Sequence, residues 1–327
     1  MDKHGKNDHV FWKLHNIEAT YWDEYITTRP VYDDAVFSHV YAYQAAHSQS
    51  RLAALDIGSG SGSAVGPLTE QFAHVVASDN DNTSLDFARR RYSKLPLERL
   101  SFILSRGEDL MQHFPPSYFD LITCAEAFPL MDTHIAMNNA ATLLRPGGTL
   151  AVWFYGPPFF TEASFATACQ PLLDSIMDLN FYPVVSGGDD AQKKSWKRAT
   201  DGMLSWLDYI PFAPEQWHNV RRHKWNTAAR LSFFTPRICD FAVEPVSMVG
   251  THETVLEEQD PTFWEVRWDV SMLKRFVKAS FPKPRELVGP DAAMEKLFEQ
   301  LTEAMGDEGA MRALSWPVVL ILAARRE

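Results

Sequence analysis

The sequence predicts an α/β protein whose first half is a mostly parallel sheet covered by helices on both faces. Three observations carry that prediction. Short apolar runs alternate with stretches of helical spacing from Arg51 to about Tyr155, the order that builds parallel sheets. A glycine-rich turn, Gly58-Ser59-Gly60-Ser61-Gly62, joins the first apolar run to the first of these helices. Beyond Gly156 the alternation gives way to aromatic-rich helical stretches.

In chain order, Arg51 to Ile57 reads as a buried strand, Ala64 to Phe72 as a helix and His74 to Ser78 as a second strand ending at Asp79. Thr83 to Tyr92 returns to helical spacing, with Leu85, Ala88 and Tyr92 on one side. Arg99 to Leu104 and Phe119 to Cys124 supply the third and fourth strands. A helix from about Thr133 to Leu144 stops at Arg145-Pro146-Gly147-Gly148, because proline and glycine cannot continue it. Thr149 to Phe154 is the fifth strand.

The second half divides less sharply. Residues 156–236 are expected to form a helical substrate cap, with Trp196, Trp206, Trp217 and Trp225 interleaved with Lys193, Lys194, Lys197, Arg221, Arg222 and Lys224. A strand near Ile238 to Val249, helices from about Pro261 to Lys278 and Ala292 to Met305, and a last strand at Trp316 to Ala324 follow. The expected division is therefore 1–50, a helical segment closing the site; 51–155, the ligand-binding core; 156–236, the cap; and 237–327, the completion of the core sheet.

With 327 residues and 46% apolar composition the chain can bury a sizeable core. Its formal charge of −11 gives no global attraction for phosphate backbones, so a nucleic-acid partner is not expected. Cys124, Cys169 and Cys239 stand far apart with no CxxC pair, which speaks against zinc or redox chemistry and predicts no metal site. Met1 to Leu14 lacks the basic-then-apolar order of a secretory signal, and the longest apolar run, Pro317 to Ala324, is far short of a membrane span. A cytoplasmic enzyme without a membrane partner is the expectation; oligomeric state is not legible.

The glycine turn carries the chemistry. Backbone N–H groups can approach a ligand at a helix N-terminus only where no side chain intervenes. Gly58, Gly60 and Gly62 fit GxGxG, whereas the dinucleotide pattern GxGxxG needs a glycine where Ser63 stands. Asp56, just before the turn, would repel a pyrophosphate and attract an ammonium, so a cofactor carrying an amino-acid group suits it better than NAD does. Asp79, about 20 residues past the turn at the end of the second strand, is placed to accept hydrogen bonds from a ribose diol. Asn80 and Asp81 beside it are left open, as is Glu108 in Arg106-Gly107-Glu108-Asp109, which reads equally as an adenine neighbour or a solvated turn.

Four segments now resemble, in order, the successive motifs of the class I S-adenosylmethionine-dependent methyltransferases: Leu55 to Gly62, His74 to Asp79, Phe119 to Phe128 and Leu143 to Leu150. Within that class the sequence is most similar to the trans-aconitate methyltransferase-like enzymes, fungal members included, in which a Tyr and an Arg-Pro precede the first strand; Tyr25, Arg29-Pro30 and Tyr32 stand there. The resemblance implies a Rossmann-like seven-stranded sheet with an antiparallel last strand and S-adenosyl-L-methionine as cofactor. It implies further that Gly58, Ser59 and Gly60 face the methionine part, Asp79 and Asn80 the ribose, Gly107 and Glu108 the adenine, and Ala125 the sulfonium region by its backbone. Tyr25, Arg29 and Asp56 complete the expected cofactor set. The chain departs from the family where Pro129-Leu130 replaces the usual His-Trp, which puts the family's usual acceptor in question.

Methyl transfer from a sulfonium is a direct displacement that needs alignment and exclusion of water, so a base is optional. An anionic carboxylate acceptor needs only a cationic anchor, while a hydroxyl benefits from a general base. The weak catalytic candidates are His134, Trp153 and Tyr25. His134 follows Asp132-Thr133, which reads as a helix cap. Tyr21, Trp22 and Tyr25 form an aromatic cluster suited to a cation. Trp153, Phe154 and Tyr155 leave the fifth strand at the edge where ligands bind in open parallel sheets. Arg221, Arg222 and Arg230 offer anchors for an acidic acceptor, His39 a remote alternative base. Three functions stay open at this point: an O-methyltransferase acting on a small molecule in specialised metabolism, a cofactor-binding relative catalysing a non-methylating rearrangement or cyclisation, and a non-catalytic binding protein.

Overall fold

The computed structural model describes residues 21–186, 189–281 and 291–327; the first 20 residues of the expected N-terminal segment lie outside them. Two helices come first, α1 (Tyr21–Thr28) and α2 (Asp34–His47), the second started by Asp33, whose side chain accepts the Ala35 N–H. The alternating half follows: β1 (Ala53–Ile57), α3 (Val65–Gln71), β2 (His74–Asp79), α4 (Asn82–Arg91), β3 (Leu100–Leu104), β4 (Phe119–Ala125), α5 (Thr133–Leu143) and β5 (Leu144–Tyr155). Every residue of β1 and β4 is buried, as expected of strands covered on both faces. Asp81 caps α4 and Asp132 caps α5 through main-chain N–H groups.

The rest comprises β6 (Phe159–Phe160), α6 (Ala163–Val185), α7 (Asp190–Leu204), β7 (Trp217–Trp225), β8 (Thr254–Glu258), β9 (Val266–Trp268), α8 (Val270–Ala279), α9 (Ala292–Met305), β10 (Arg312–Ser315) and β11 (Val318–Arg325). The main sheet has the order β3-β2-β1-β4-β5-β11-β7-β8. Its first five strands are parallel, β11 runs antiparallel to both β5 and β7, and β8 is parallel to β7. A mostly parallel α/β sheet with an antiparallel last strand is thus present, with eight strands rather than seven. A small antiparallel sheet, β6-β10-β9, packs beside it.

Three second-half expectations change. Residues 156–236 are not wholly helical, because β7 joins the main sheet there. Its alternation was hidden because two inward positions carry charge: Arg222 is fully buried and Lys224 nearly so. Arg222 donates to Glu253 at 2.6 Å and to the Leu207 and Ile210 carbonyls at 3.0 and 2.7 Å; Lys224 meets Asp208 at 2.8 Å. Burying a cation is tolerable only with such partners. Ile238 to Val249 is irregular rather than a strand. Its polar groups are spent on α7 instead, the Ala242 carbonyl accepting from Lys197 and the Glu244 N–H donating to Asp201, and Pro245 has no N–H for a ladder. The helix expected from Pro261 is α8, begun only at Val270 because Asp269 accepts the Met272 N–H as its cap. No described helix is long and apolar enough to cross a membrane.

Candidate active site

The carboxyl ends of β1, β2 and β4 open onto one cavity that continues beneath α1, α6 and α7. At its near end the wall is main chain. Gly58, Gly60 and Gly62 all have positive φ, at 69°, 53° and 81°, where residues with a Cβ are strained. An added Cβ would lie 2.5 Å from the Ala127 Cβ at Gly58, but at Gly60 it would meet nothing within 4 Å. Gly58 therefore lets two chain segments touch, and Gly60 bares its backbone to the cavity.

Two aspartates hold this turn. Asp79 accepts the Gly60 N–H at 2.8 Å and the Asp81 N–H at 2.9 Å. Asp56 accepts the Thr123 hydroxyl at 2.7 Å and is almost fully buried. Burial pushes Asp56 up to about 7 and Asp79 up to about 6, against the pull of these hydrogen bonds. Each carboxylate keeps lone pairs beyond those its protein partners use. Glu108 accepts the Asp132 N–H at 2.9 Å and pairs with Arg106 at 3.4 Å. Met131 crosses behind Gly107, where an added Cβ would lie 2.8 Å from its sulfur.

The far end is a side-chain chamber. Phe154 from β5, Phe181 from α6, Trp196 from α7, Phe233 and Phe234 from the β7–β8 connection, and Phe281 after α8 line it. Ring centroids lie 5.6 Å apart for Phe181–Phe233, 5.3 Å for Phe181–Phe234 and 5.2 Å for Trp196–Phe234, within the range of favourable aromatic pairing. Asp178 on α6 pins the connection by accepting from Thr235 at 2.9 Å and pairing with Arg237 at 2.7 Å. The Pro129-Leu130 departure also lies here: both residues line the cavity, and the Leu130 carbonyl accepts from Arg198 on α7 at 3.1 Å. The loop after β4 thus packs against α7.

Between the two ends stand Arg29 and Glu126. Arg29 donates to the Tyr155 hydroxyl and to the Ser280 carbonyl, each at 2.6 Å. Its guanidinium lies 5.0 Å from the Tyr25 ring and 5.7 Å from that of Phe233, while its Nε has no hydrogen-bond partner among the described residues. The buried Trp22 Nε1, also on the wall, is likewise unpartnered. Glu126 accepts the Tyr155 N–H at 2.6 Å. Burial pushes its carboxyl well up, with Arg29 opposing. Its φ of 62° is positive, held by its own N–H donating to the Trp153 carbonyl at 3.0 Å.

Of the expected cofactor residues, the structure brings Tyr25, Arg29, Asp56, Gly58, Ser59, Gly60, Asp79, Asn80, Gly107, Glu108 and Ala125 to this one cavity. The catalytic candidates fare differently. Tyr25 is on the wall, but His134 is exposed on the first turn of α5 with its ring against Asn138. Trp153 is fully buried behind the wall, edge-on to Tyr32 and Phe37, because the sheet pleat sends Phe154 rather than Trp153 to the cavity. His39 is exposed beside His223 and Trp225. Arg221 lies over Tyr43, Arg222 is committed to Glu253, and Arg230 pairs with Asp174. None of these arginines lines the cavity. Among the described residues no cluster of His, Cys, Asp and Glu is placed to hold a metal ion.

Sequence reasoning placed Phe154 at the ligand edge of the sheet but missed Glu126 and the chamber's Phe181, Phe233, Phe234 and Phe281. Glu126 had a signal, since it directly follows Ala125 at the carboxyl end of a central strand, where ligands bind.

Comparison with known proteins agrees with this architecture. Residues 55–152 match the model of a methyltransferase domain family. Over 323 residues the chain is 40% identical to methyltransferase pgmE of Aspergillus terreus, covering 97% of this chain and 96% of that protein. It is 35% identical over 317 residues to methyltransferase cfoB of Aspergillus candidus, covering 94% and 95%. In fold it is similar to a structure assigned as a type II methyltransferase from Anaeromyxobacter dehalogenans. There the TM-score is 0.54 at 18% identity, covering 90% of this chain and 97% of that one.

Proposed function

The chain belongs to the class I S-adenosylmethionine-dependent methyltransferases, and we propose that it methylates an oxygen of a flat, largely apolar small molecule in specialised metabolism. The observation that carries this reading is the continuity of the cavity, from a backbone cradle at Gly58–Gly60 into a chamber walled by aromatic rings. The cradle suits the cofactor on physical grounds. Space opens over Gly60, spare carboxylate lone pairs face it, and the unpartnered Arg29 Nε is a donor for a ligand carboxylate.

In this reading Asp79 and Asn80 take the ribose hydroxyls, Gly107 and Glu108 border the adenine, and Gly58, Ser59, Gly60 and Ala125 hold the methionine part by main chain. Arg29 and Tyr25 close over it, and Asp56 sets the local charge through the turn. When bound, S-adenosylmethionine supplies an electrophilic methyl group on a cationic sulfur. The protein's part is to orient and to exclude water: α1 roofs the cradle, and aromatic faces stack a planar acceptor. Residues 156–236 then act as the substrate cap around β7, 51–155 as the cofactor core and 237–327 as its completion. The chamber's enclosure and the net charge of −11 both speak for a small acceptor over a nucleic acid, and a cytoplasmic enzyme fits that chemistry.

Calorimetric titration tests the cofactor assignment. S-adenosylmethionine should bind saturably, NAD should not, and Asp79→Ala should lose the binding. A folded protein that binds no S-adenosylmethionine would overturn the reading. Mass-spectrometric screening of hydroxylated aromatic and carboxylic acid compounds for a gain of one methyl group would then identify the acceptor class.

A further inference from the structure

Glu126 is built as a fixed carboxylate at the junction of cradle and chamber. It follows β4 directly, beside Ala127, which touches Gly58, and it shares the cavity wall with Arg29 and Phe233. Its backbone is held in the left-handed region, which is strained for a residue with a Cβ. Both that backbone and its carboxyl are tied to β5, through the Trp153 carbonyl and the Tyr155 N–H. The other wall carboxylates in the cradle serve the turn, the neighbouring strand or a helix start: Asp79 holds Gly60, Asp56 holds Thr123 on β4, Asp81 caps α4, and Glu108 accepts from Asp132. Glu126 accepts one protein hydrogen bond at one oxygen, and no further bond to it is present among the described residues. Strain and desolvation of this kind concentrate where a group is held for chemistry.

We propose that Glu126 is the catalytic base of the reaction proposed above, so that the acceptor group is a hydroxyl, most simply a phenol, rather than a carboxylate. The inference rests on the methyl-transfer reading. A carboxylate acceptor would bring a second anion against a desolvated one, which is unfavourable at short range; a hydroxyl can donate to it. In the step, the acceptor O–H proton passes to Glu126 and the acceptor oxygen forms a bond to the methyl carbon. The carbon–sulfur bond breaks with its electron pair kept by sulfur, leaving S-adenosylhomocysteine and protonated Glu126, which returns the proton to water when product leaves. Burial pushes the Glu126 carboxyl up, which makes its anion a stronger proton acceptor than an ordinary carboxylate, and Arg29 opposes that shift.

Glu126→Gln keeps the shape and the acceptor for the Tyr155 N–H, and two measurements read it. The first needs no acceptor: calorimetry near pH 7 in buffers of different ionisation enthalpy counts the protons released on cofactor binding. S-adenosylmethionine should release more than S-adenosylhomocysteine, since only the former brings a sulfonium charge beside Glu126, and the excess should fall in Glu126→Gln to what Asp56 and Asp79 supply. The second is kinetic, with a series of phenols and naphthols of falling pKa. For weakly acidic members kcat should fall about 10²–10⁴-fold in the variant, while for nitrophenols already ionised at the assay pH the loss should shrink to less than about tenfold. Cofactor affinity should stay within about threefold of wild type.

An excess proton release that Glu126→Gln leaves undiminished overturns the proposal. So does a kinetic loss that is the same for every phenol, or turnover of carboxylic acids with no phenol turned over. Failure of S-adenosylmethionine to bind the wild-type protein instead sinks the methyltransferase reading itself, so the two failures are distinguishable. For an acceptor outside the series, the proton count decides.

Discussion

At one end of the cavity the wall is main chain, set by three glycines and two aspartates within 24 residues of one another; at the other it is side chain, gathered from Phe154, Phe181, Trp196, Phe233, Phe234 and Phe281. The first end depends on dihedral angles that only certain residues adopt, so a single methyl group can break it. The second depends on summed aromatic area, so it tolerates change. In the proposed reading the fixed end suits the cofactor and the adaptable end the acceptor.

Substitution at Gly58 breaks this comparison most severely. Its φ of 69° penalises any Cβ by about 1–2 kcal/mol, and the Ala127 Cβ 2.5 Å away adds about 1–3 kcal/mol of overpacking. Gly58→Ala should therefore weaken S-adenosylmethionine binding by about 100-fold or more and lower the melting temperature, measured by calorimetric titration and thermal unfolding. A Gly58→Ala protein that binds normally would show that the cradle is softer than its geometry implies.

The same end predicts an inverted pH dependence. Asp56 and Asp79 are pushed up to about 7 and about 6 by burial, so the folded protein binds more protons than the unfolded chain between about pH 4 and pH 7. Stability then falls as pH rises through that window, opposite to a protein whose carboxylates are salt-bridged. Without ligand, the protein should melt higher at pH 5 than at pH 7.5, and Asp56→Asn, which can still accept the Thr123 hydroxyl, should flatten the slope by on the order of 1–3 kcal/mol. A stability that rises with pH across this range would contradict the burial of both groups as charges.

This contrast also explains what could be read in advance. The cradle is local in sequence, and the conformations it needs limit residue choice, so GxGxG and a strand-terminal Asp79 were legible. The chamber is not local: Phe154 and Phe281 are brought together only by the fold, and no spacing rule connects them. β7 was missed for another reason. Its inward Arg222 and Lys224 look like surface charges until Glu253 and Asp208 are placed beside them, and partners that far along the chain carry no signal in a window of ten residues. Glu126 lay inside a recognised motif, but its role depends on Arg29 and Tyr155, which only the closed site brings near.

At the adaptable end a smaller effect is expected. Phe234 packs on Phe181 and Trp196 without touching the cradle. Phe234→Leu removes part of one aromatic face, worth about 1 kcal/mol, so the acceptor KM should rise about fivefold while the affinity for S-adenosylmethionine stays unchanged. Steady-state kinetics with the acceptor varied, set against cofactor titration, separates the two. A matching loss in both would mean that chamber and cradle move as one unit, and the division drawn here would fail.

The smallest effect belongs to His134, whose residue type suits proton transfer better than anything in the chamber. Position overrides type. Asp132 caps α5 by accepting the Ile135 N–H at 3.0 Å, which turns His134 outward on the first turn, and its ring meets Asn138 at 3.1 Å in solvent. A base must reach the proton it removes, and this one is separated from the cavity by its own helix start. His134→Ala should leave kcat and KM within about twofold and stability within about 0.5 kcal/mol, as for ordinary surface changes. Loss of activity in that variant, with cofactor binding intact, would require α5 to rearrange on acceptor binding and would move the proton acceptor away from Glu126.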